Sequence, residues 1–409
     1  MDALINTLQA FLAIDSSTKE GAVTCLHRVL ALAQSMGFAT GNLDDRVGWA
    51  EYGTGEALVA VLGHLDVVPY GSGWTKVPGT VEFGRLYGRG ATDDKGPILA
   101  SLFALKEIMD SGEALTRRVR ILFGTQEETG CDDMKYYVAH GGELPTLGFT
   151  PDGEFPLIHG EKGLLIEEYA CDLAPGQIVS LWGGTAANIV PALAYAVLSD
   201  GTRVECHGVA AHGAEPWRGS NAIGKLMGKL DALPLTGQEK TAIHFLNTRI
   251  GMETDGTSLG IAMADRQSGK LSFNLGMVRL CENTLRVTVN YRYPVTKHFE
   301  DCVPQVQAAF AQAGFRLVRS EHDEKLYLPE AHPLVQTLLG VYNKYMGEAA
   351  RPICIGGGTY AKTMPNIVAF GPIFPGDEVT EHQPDEYISL TRLRQNYDMI
   401  KMAILALAK

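Results

Sequence analysis

Residues 57–68, ALVAVLGHLDVV, run apolar without alternation and then end in His64 and Asp66. An unbroken apolar run of this length, closed by polar residues, predicts a strand buried on both faces of a sheet. The next apolar stretch, PILASLFALKEIMDSG (97–112), carries helical spacing with Pro97 at its expected first position and Gly112 past its end. VRILFGTQEETG (119–130) repeats the strand-to-polar transition, and LGFTPDGEF (147–155) does so in shorter form. Strand, helix, strand, helix, strand predicts a parallel sheet with right-handed crossovers. Ligand sites in such sheets lie outside the carboxyl ends of the strands. His64, Asp66, Glu127, Glu128 and Asp152 all fall there.

Outward from this core the texture changes. GLLIEEYAC (163–171), TLRVTVNYRYPV (284–295) and FRLVRS (315–320) read as strands, and FEDCVPQVQAAFAQAG (299–314) as a helix. The pieces between 171 and 284, such as SNAIGKLMGKL (220–230), read as helical or irregular. From about residue 326, HPLVQTLLGVYNKYMG and CIGGGTYAKTMPNIVAFGP resume α/β character. The expected fold class is α/β, a mixed, largely parallel sheet flanked by helices. Its expected domains are residues 1–160 and 326–409, interrupted by an α+β unit with an antiparallel sheet over 161–325.

The 409 residues carry 35 basic and 47 acidic side chains, a formal charge of −12, with 45% apolar content. That profile is globular, and the charge disfavours nucleic acid and anionic membranes as partners. No window reaches the roughly 18 apolar residues of a membrane span. Leu4, Ile5, Leu8, Phe11 and Leu12 mark an amphipathic N-terminal helix and not a signal peptide. Seven scattered cysteines without a CxxC pair predict a reducing, cytoplasmic home.

Each chemical motif is weak alone. His64-Leu65-Asp66 is a ready imidazole with a carboxylate on the same side of the strand, or a surface pair beside a turn. Asp93-Asp94 and Glu127-Glu128 read equally as acids in a helix first turn. Pro151-Asp152-Gly153 reads as a turn, and His382 in EHQPDE stands alone. Taken together, one imidazole and several carboxylates converge on one sheet edge, and His382 is able to close the set. Oxygen and nitrogen donors without thiolates suit zinc, manganese or cobalt. Two divalent ions would balance three carboxylates and a hydroxide, which favours a hydrolytic dinuclear site. An oxidoreductase is disfavoured, because GRGAT lacks the last glycine of a dinucleotide fingerprint.

In order, VLGHLDVVP, LYGRGATDDKGP, FGTQEETG, TPDGEFP, GGTAANIVPA, AAHGAEP, NYRYPV, GGGTYA and EHQPDE resemble the zinc-dependent aminoacylase/carboxypeptidase clan of metallopeptidases. Within it they are most similar to bacterial dipeptidases of the peptidase V type, which include carnosine-cleaving enzymes. The resemblance runs from about residue 57 to 390. It implies a catalytic domain with an inserted, ferredoxin-like lid, and a dipeptidase with two divalent ions, zinc first, then manganese or cobalt. His64, Asp93 and Asp152 would hold one ion, and Asp93, Glu128 and His382 the other. Asp66 would orient His64, and Glu127 would activate a water between the ions. The peptide bond after Asp93 would be cis. His212 would stabilise the oxyanion, while Asn188, Arg292 and the loop Gly356, Gly357, Gly358 and Thr359 would contact the substrate. Small peptides are the expected partners, with an N-acyl-amino-acid deacylase or desuccinylase as the nearest alternative, and a non-catalytic metal- or amino-acid-binding protein as a remote one. The stretch between Asn188 and His212 is short for the peptidase V type, whose larger lid imitates a partner subunit, so monomer and homodimer both stay open.

Overall fold

Leu58–His64 is a strand buried at every residue, as a strand covered on both faces should be. The computed structural model describes residues 1–409, and this strand lies inside a nine-stranded sheet. Arg118–Gly124 runs parallel on one side of it and Leu147–Thr150 on the other. Ile367–Ala369 is parallel to Leu147–Thr150 and pairs antiparallel with Ile158–Glu161 on its far side. A segment from late in the chain is thus slotted between two earlier strands. The hairpin of Ala39–Leu43 and Val47–Tyr52 extends the sheet antiparallel beyond Arg118–Gly124. The class is α/β, a mixed sheet with a parallel centre.

The crossover between Leu58–His64 and Arg118–Gly124 is the helix Lys95–Ser111. It begins two residues earlier than the proline signal predicts. Pro97 still falls in the first turn, where its missing N–H has no intrahelical partner to lose. Gly112 ends the helix at φ +68, a left-handed cap that glycine adopts without a Cβ penalty. Asp2–Leu12 packs on this helix and buries Leu4, Leu8, Phe11 and Leu12.

The chain divides into two compact units. The first comprises Met1–His159, Leu328–Ile353 and Gly358–Lys409, and the second Gly160–Tyr327 with Cys354–Gly357. The second unit holds a seven-stranded antiparallel sheet. In spatial order its strands are Arg203–His207, Leu193–Leu198, Ile178–Gly183, Ser272–Cys281, Thr284–Tyr293, Gly163–Asp172 and Arg316–Asp323. Four of these, Ile178–Gly183, Leu193–Leu198, Arg203–His207 and Ser272–Cys281, lie where the sequence reads only as helical or irregular pieces. Residues 299–314 also differ from a single helix: a 3-10 turn, Phe299–Asp301, precedes the helix Val303–Gln312.

Side chains of Gly163–Asp172 alternate as the pleat requires. Leu165, Glu167 and Tyr169 are buried, whereas Leu164, Ile166 and Glu168 are half-buried. Tyr169 stacks on Phe310 with centroids 3.8 Å apart. The buried Glu167 carboxylate accepts from Tyr169 Oη (2.6 Å), Tyr291 Oη (2.8 Å), Gln307 Nε2 (2.7 Å) and Ser320 Oγ (3.2 Å). Those four bonds offset the cost of taking a charge out of water.

Candidate metal centre

The parallel register places His64 opposite Gly124. Residues 125–128 therefore emerge at the same edge as His64, and Asp152 follows the end of Leu147–Thr150. Gly63 permits close approach here, since a Cβ on it would stand 2.3 Å from Asp94 Oδ2. That oxygen accepts the backbone N–H of His64 at 3.2 Å. The Asp93–Asp94 peptide bond is cis.

Asp93 lies between two imidazoles. Its Oδ1 is 2.9 Å from His64 Nε2, and its Oδ2 is 3.0 Å from His382 Nε2. His382 Nε2 is also 3.2 Å from Glu128 Oε1, and His64 Nε2 is 3.7 Å from Asp152 Oδ2. Two groupings each bring one ligand atom per residue within 4.8 Å of the others: His64 with Asp93 and Glu128, and His64 with Glu127 and Asp152. The first unit thus brings together His64, Asp66, Asp93, Glu127, Glu128, Asp152 and His382.

Asp66 is placed differently from the spacing argument. Its backbone carbonyl is 2.9 Å from His64 Nδ1, closer than its carboxylate at 3.4 Å. The carboxylate instead accepts the backbone N–H groups of Glu127 (3.2 Å) and Glu128 (3.1 Å). One residue thereby fixes both the ring of His64 and the loop that carries the two glutamates.

The electrostatics are those of a crowded acid cluster. Burial, then Asp152, push the Glu127 carboxyl well above the ordinary range. Burial and Asp93 raise Glu128. Burial opposes ionisation of Asp93, but His382 and His64 outweigh it and hold its carboxyl low. Asp93 and Glu128 together push His382 up to about 11. Asp93 and Glu128 have histidines as their only ion-pair partners, and neither they nor Glu127 meets a lysine or arginine. Imidazole and carboxylate donors packed this closely fit divalent metal ions.

A supporting group was not legible from motifs. Asp133 is fully buried, and its Oδ2 accepts the N–H of Thr125 (2.6 Å) and of Gln126 (2.9 Å). The hydroxyl of Tyr360 donates to the same oxygen. Tyr360 also stands edge-on to the His64 ring at 6.1 Å. In the sequence Asp133 looks like a first-turn acid of the helix Asp132–Ala139, which it also is.

The remaining expected residues are described within their own units. Gly358 and Thr359 belong to the first unit, and Gly357 to the second. Thr359 Oγ1 caps the turn Tyr360–Thr363 by accepting from Ala361 N. Asn188, His212 and Arg292 belong to the second unit. His212 forms a bridge with Ile189, and Gly213 N donates to Asn188 O at 2.7 Å. Asn188 and Arg292 line a hollow of about 370 Å³ together with Leu164, Ile166 and Asn290. Arg292 is buried, donates to Gly356 O, and has Asn290 Oδ1 at 3.4 Å. Burial pulls its guanidinium down to about 10, with no carboxylate beside it.

Comparison with known proteins adds to this geometry. Residues 60–406 match the model described as Peptidase family M20/M25/M40. The chain is 34% identical to the protein YtjP of Bacillus subtilis (strain 168), over 99% of this chain and 97% of that protein. It is 30% identical to the Beta-Ala-Xaa dipeptidase of Lactobacillus delbrueckii subsp. lactis, over 100% of this chain and 96% of the relative. Among solved structures, human carnosine dipeptidase 1 is similar with a TM-score of 0.63 at 15% identity, covering 100% of this chain and 96% of that one. At that identity the likeness speaks for the fold alone.

Proposed function

Because the chain belongs to peptidase family M20/M25/M40, we propose that it is a metal-dependent dipeptidase whose chemistry is carried by the acid and imidazole cluster at the end of Leu58–His64. The observation that carries this reading is Asp93 standing between His64 and His382 at 2.9 and 3.0 Å, with Glu127, Glu128 and Asp152 around them. His64, Asp93 and Asp152 would hold one divalent ion, and Asp93, Glu128 and His382 a second. When bound, such ions polarise a carbonyl and make a water acidic near neutral pH. Zinc heads the candidates, with manganese and cobalt behind it, since all accept this donor set.

The chain's own residues do the rest. Glu127 takes a proton from the attacking water and delivers it to the departing amine, work suited to a carboxyl raised by burial. Asp66 and Asp133 hold the loop of Glu127 from beneath, so the base keeps its aim. In the second unit, Arg292 is a buried cation lacking a carboxylate partner, which supports a role in binding a substrate carboxylate beside Asn188. The seven cysteines are all free, which supports a reducing compartment. No helix is long and apolar enough to cross a membrane.

The test is a panel of dipeptides (β-alanyl ones included), tripeptides and N-acyl amino acids, assayed with and without chelator. Dipeptides should turn over, and chelator should abolish that turnover. Hydrolysis of acyl amino acids alone would overturn the substrate assignment, and turnover unaffected by chelator would overturn the metal.

A further inference from the structure

Glu386 is fully buried four residues beyond His382, and every contact of its carboxylate lies on the loop that carries Asp93. Its Oε1 accepts the backbone N–H groups of Gly90 (3.0 Å), Thr92 (3.1 Å) and Asp93 (3.3 Å). Its Oε2 accepts from Arg89 Nη1 at 2.9 Å. Its backbone carbonyl accepts from Gly88 N at 2.9 Å, and Thr92 Oγ1 donates to the neighbouring Tyr387 O at 2.9 Å. Arg89 is itself buried, and it closes the circuit by donating to Gln383 O at 3.1 Å. The loop therefore wraps around one carboxylate, with three N–H groups on a single oxygen.

The residue before Glu386 is tied down as well. Asp385 accepts from Thr75 N (2.8 Å), Thr75 Oγ1 (2.6 Å) and Lys76 N (2.9 Å). His382 and Asp385 both have left-handed backbone, φ +62 and +58, which a residue with a Cβ holds only when its surroundings impose it. His382 is more than half exposed at its side chain, so packing does not fix its position. Besides the contacts of its ring with Asp93 and Glu128, the short connection to Glu386 ties its backbone to the Asp93 loop.

We propose that Glu386 is a positioning residue for the metal centre, setting the separation of Asp93 and His382 by binding the Asp93 loop from within the His382 segment. The assignment rests on the reading of Asp93 and His382 as metal ligands. Glu386 is not among the residues read as ligands, and its carboxylate meets the Asp93 loop. It acts through backbone amides, so its worth lies in the length of its side chain and the acceptor at Oε1.

The test is Co(II) binding to the metal-stripped, full-length protein, followed by calorimetry and by the visible absorption of the bound ion, in wild type, Glu386→Ala, Glu386→Asp and Glu386→Gln. Glutamine keeps an oxygen at the Oε1 position, whereas aspartate is one methylene too short to reach the amides. Alanine and aspartate should weaken Co(II) binding about 10–100-fold and alter the absorption band, while glutamine stays within about threefold of wild type. If alanine yields no folded protein, the contrast between aspartate and glutamine decides. Wild-type affinity and spectrum in folded Glu386→Asp would overturn the inference, as would loss of folding in all three variants. Failure of wild type itself to bind Co(II) would instead overturn the metal reading.

Discussion

The hydroxyl of Tyr360 donates to Oδ2 of Asp133 at 2.5 Å, and that oxygen also receives the amides of Thr125 and Gln126. Tyr360 follows the glycine-rich loop, and residues 125–126 lead into Glu127. One buried carboxylate thus joins the two. Tyr360→Phe removes a charge-assisted bond inside the core and should destabilise the first unit by about 1.5–3 kcal/mol. Urea unfolding of the metal-stripped protein measures this, and kcat should fall along with it. A variant as stable as wild type would show that water replaces the hydroxyl.

Gly124 makes that junction sterically possible. A Cβ at this position would lie 2.0 Å from Tyr360 Oη and 2.6 Å from Asp133 Oδ2. Gly124→Ala must displace a buried ring or a buried carboxylate, so a loss of about 1–3 kcal/mol is expected. Double-mutant analysis with Tyr360→Phe should recover part of that loss, because phenylalanine removes the nearest clashing atom. Strict additivity of the two changes would contradict it.

Glu127→Gln keeps the shape of the side chain but cannot accept a proton. It should lower kcat by about 10²–10⁴-fold. Elemental analysis of the purified variant should still find metal. A variant that keeps a tenth or more of wild-type turnover would remove Glu127 from the role of base.

Asp231 provides a pH test remote from the metal centre. Burial would raise its carboxyl, but bonds from Lys240 (2.7 Å), Asn247 (2.9 Å) and His244 (3.0 Å) prevail and hold it down at about 2. The folded value lies below the unfolded one. The stabilisation is therefore complete above about pH 4 and disappears as pH falls toward 2. Lys240 and His244 are partly exposed, so screening limits the effect to about 1–2 kcal/mol. Denaturant melts at pH 7 and pH 3 should show Asp231→Asn less stable than wild type at pH 7, with the gap narrowed at pH 3. An equal gap at both values would refute the assignment.

The strands that carry His64, Glu127 and Asp152 were legible because burial on both faces leaves an apolar run that stops abruptly where the polar edge begins. Strands Ile178–Gly183, Leu193–Leu198 and Arg203–His207 were not: each is short, they pair with one another in chain order, and only the pairing of Ile178–Gly183 with the distant Ser272–Cys281 ties them into the larger sheet. LAYAVL alternates buried and half-buried positions in the structure, yet its alanines and leucines suit a helix equally well. The spacing of Asp66 correctly put it near His64. It could not reveal that the carboxylate serves the amides of Glu127 and Glu128, since sixty residues intervene. Asp133, Tyr360 and Glu386 escaped because their partners leave no trace in residue type: Asp133 accepts the amides of Thr125 and Gln126, Tyr360 donates to Asp133, and Glu386 accepts amides of the Asp93 loop far away in the chain.

The slot taken by Ile367–Ala369 has a consequence for biosynthesis. Leu147–Thr150 and Ile158–Glu161 leave the ribosome long before the strand that fits between them. At about 5–20 residues per second, the roughly 210 intervening residues take on the order of 10–40 s to make. Throughout that interval the nascent sheet has two open hydrogen-bonding edges beside a cluster of acids still waiting for His382. The first unit is therefore completed only by its last-made part, and chains released before residue 367 emerges can close neither the sheet nor the site.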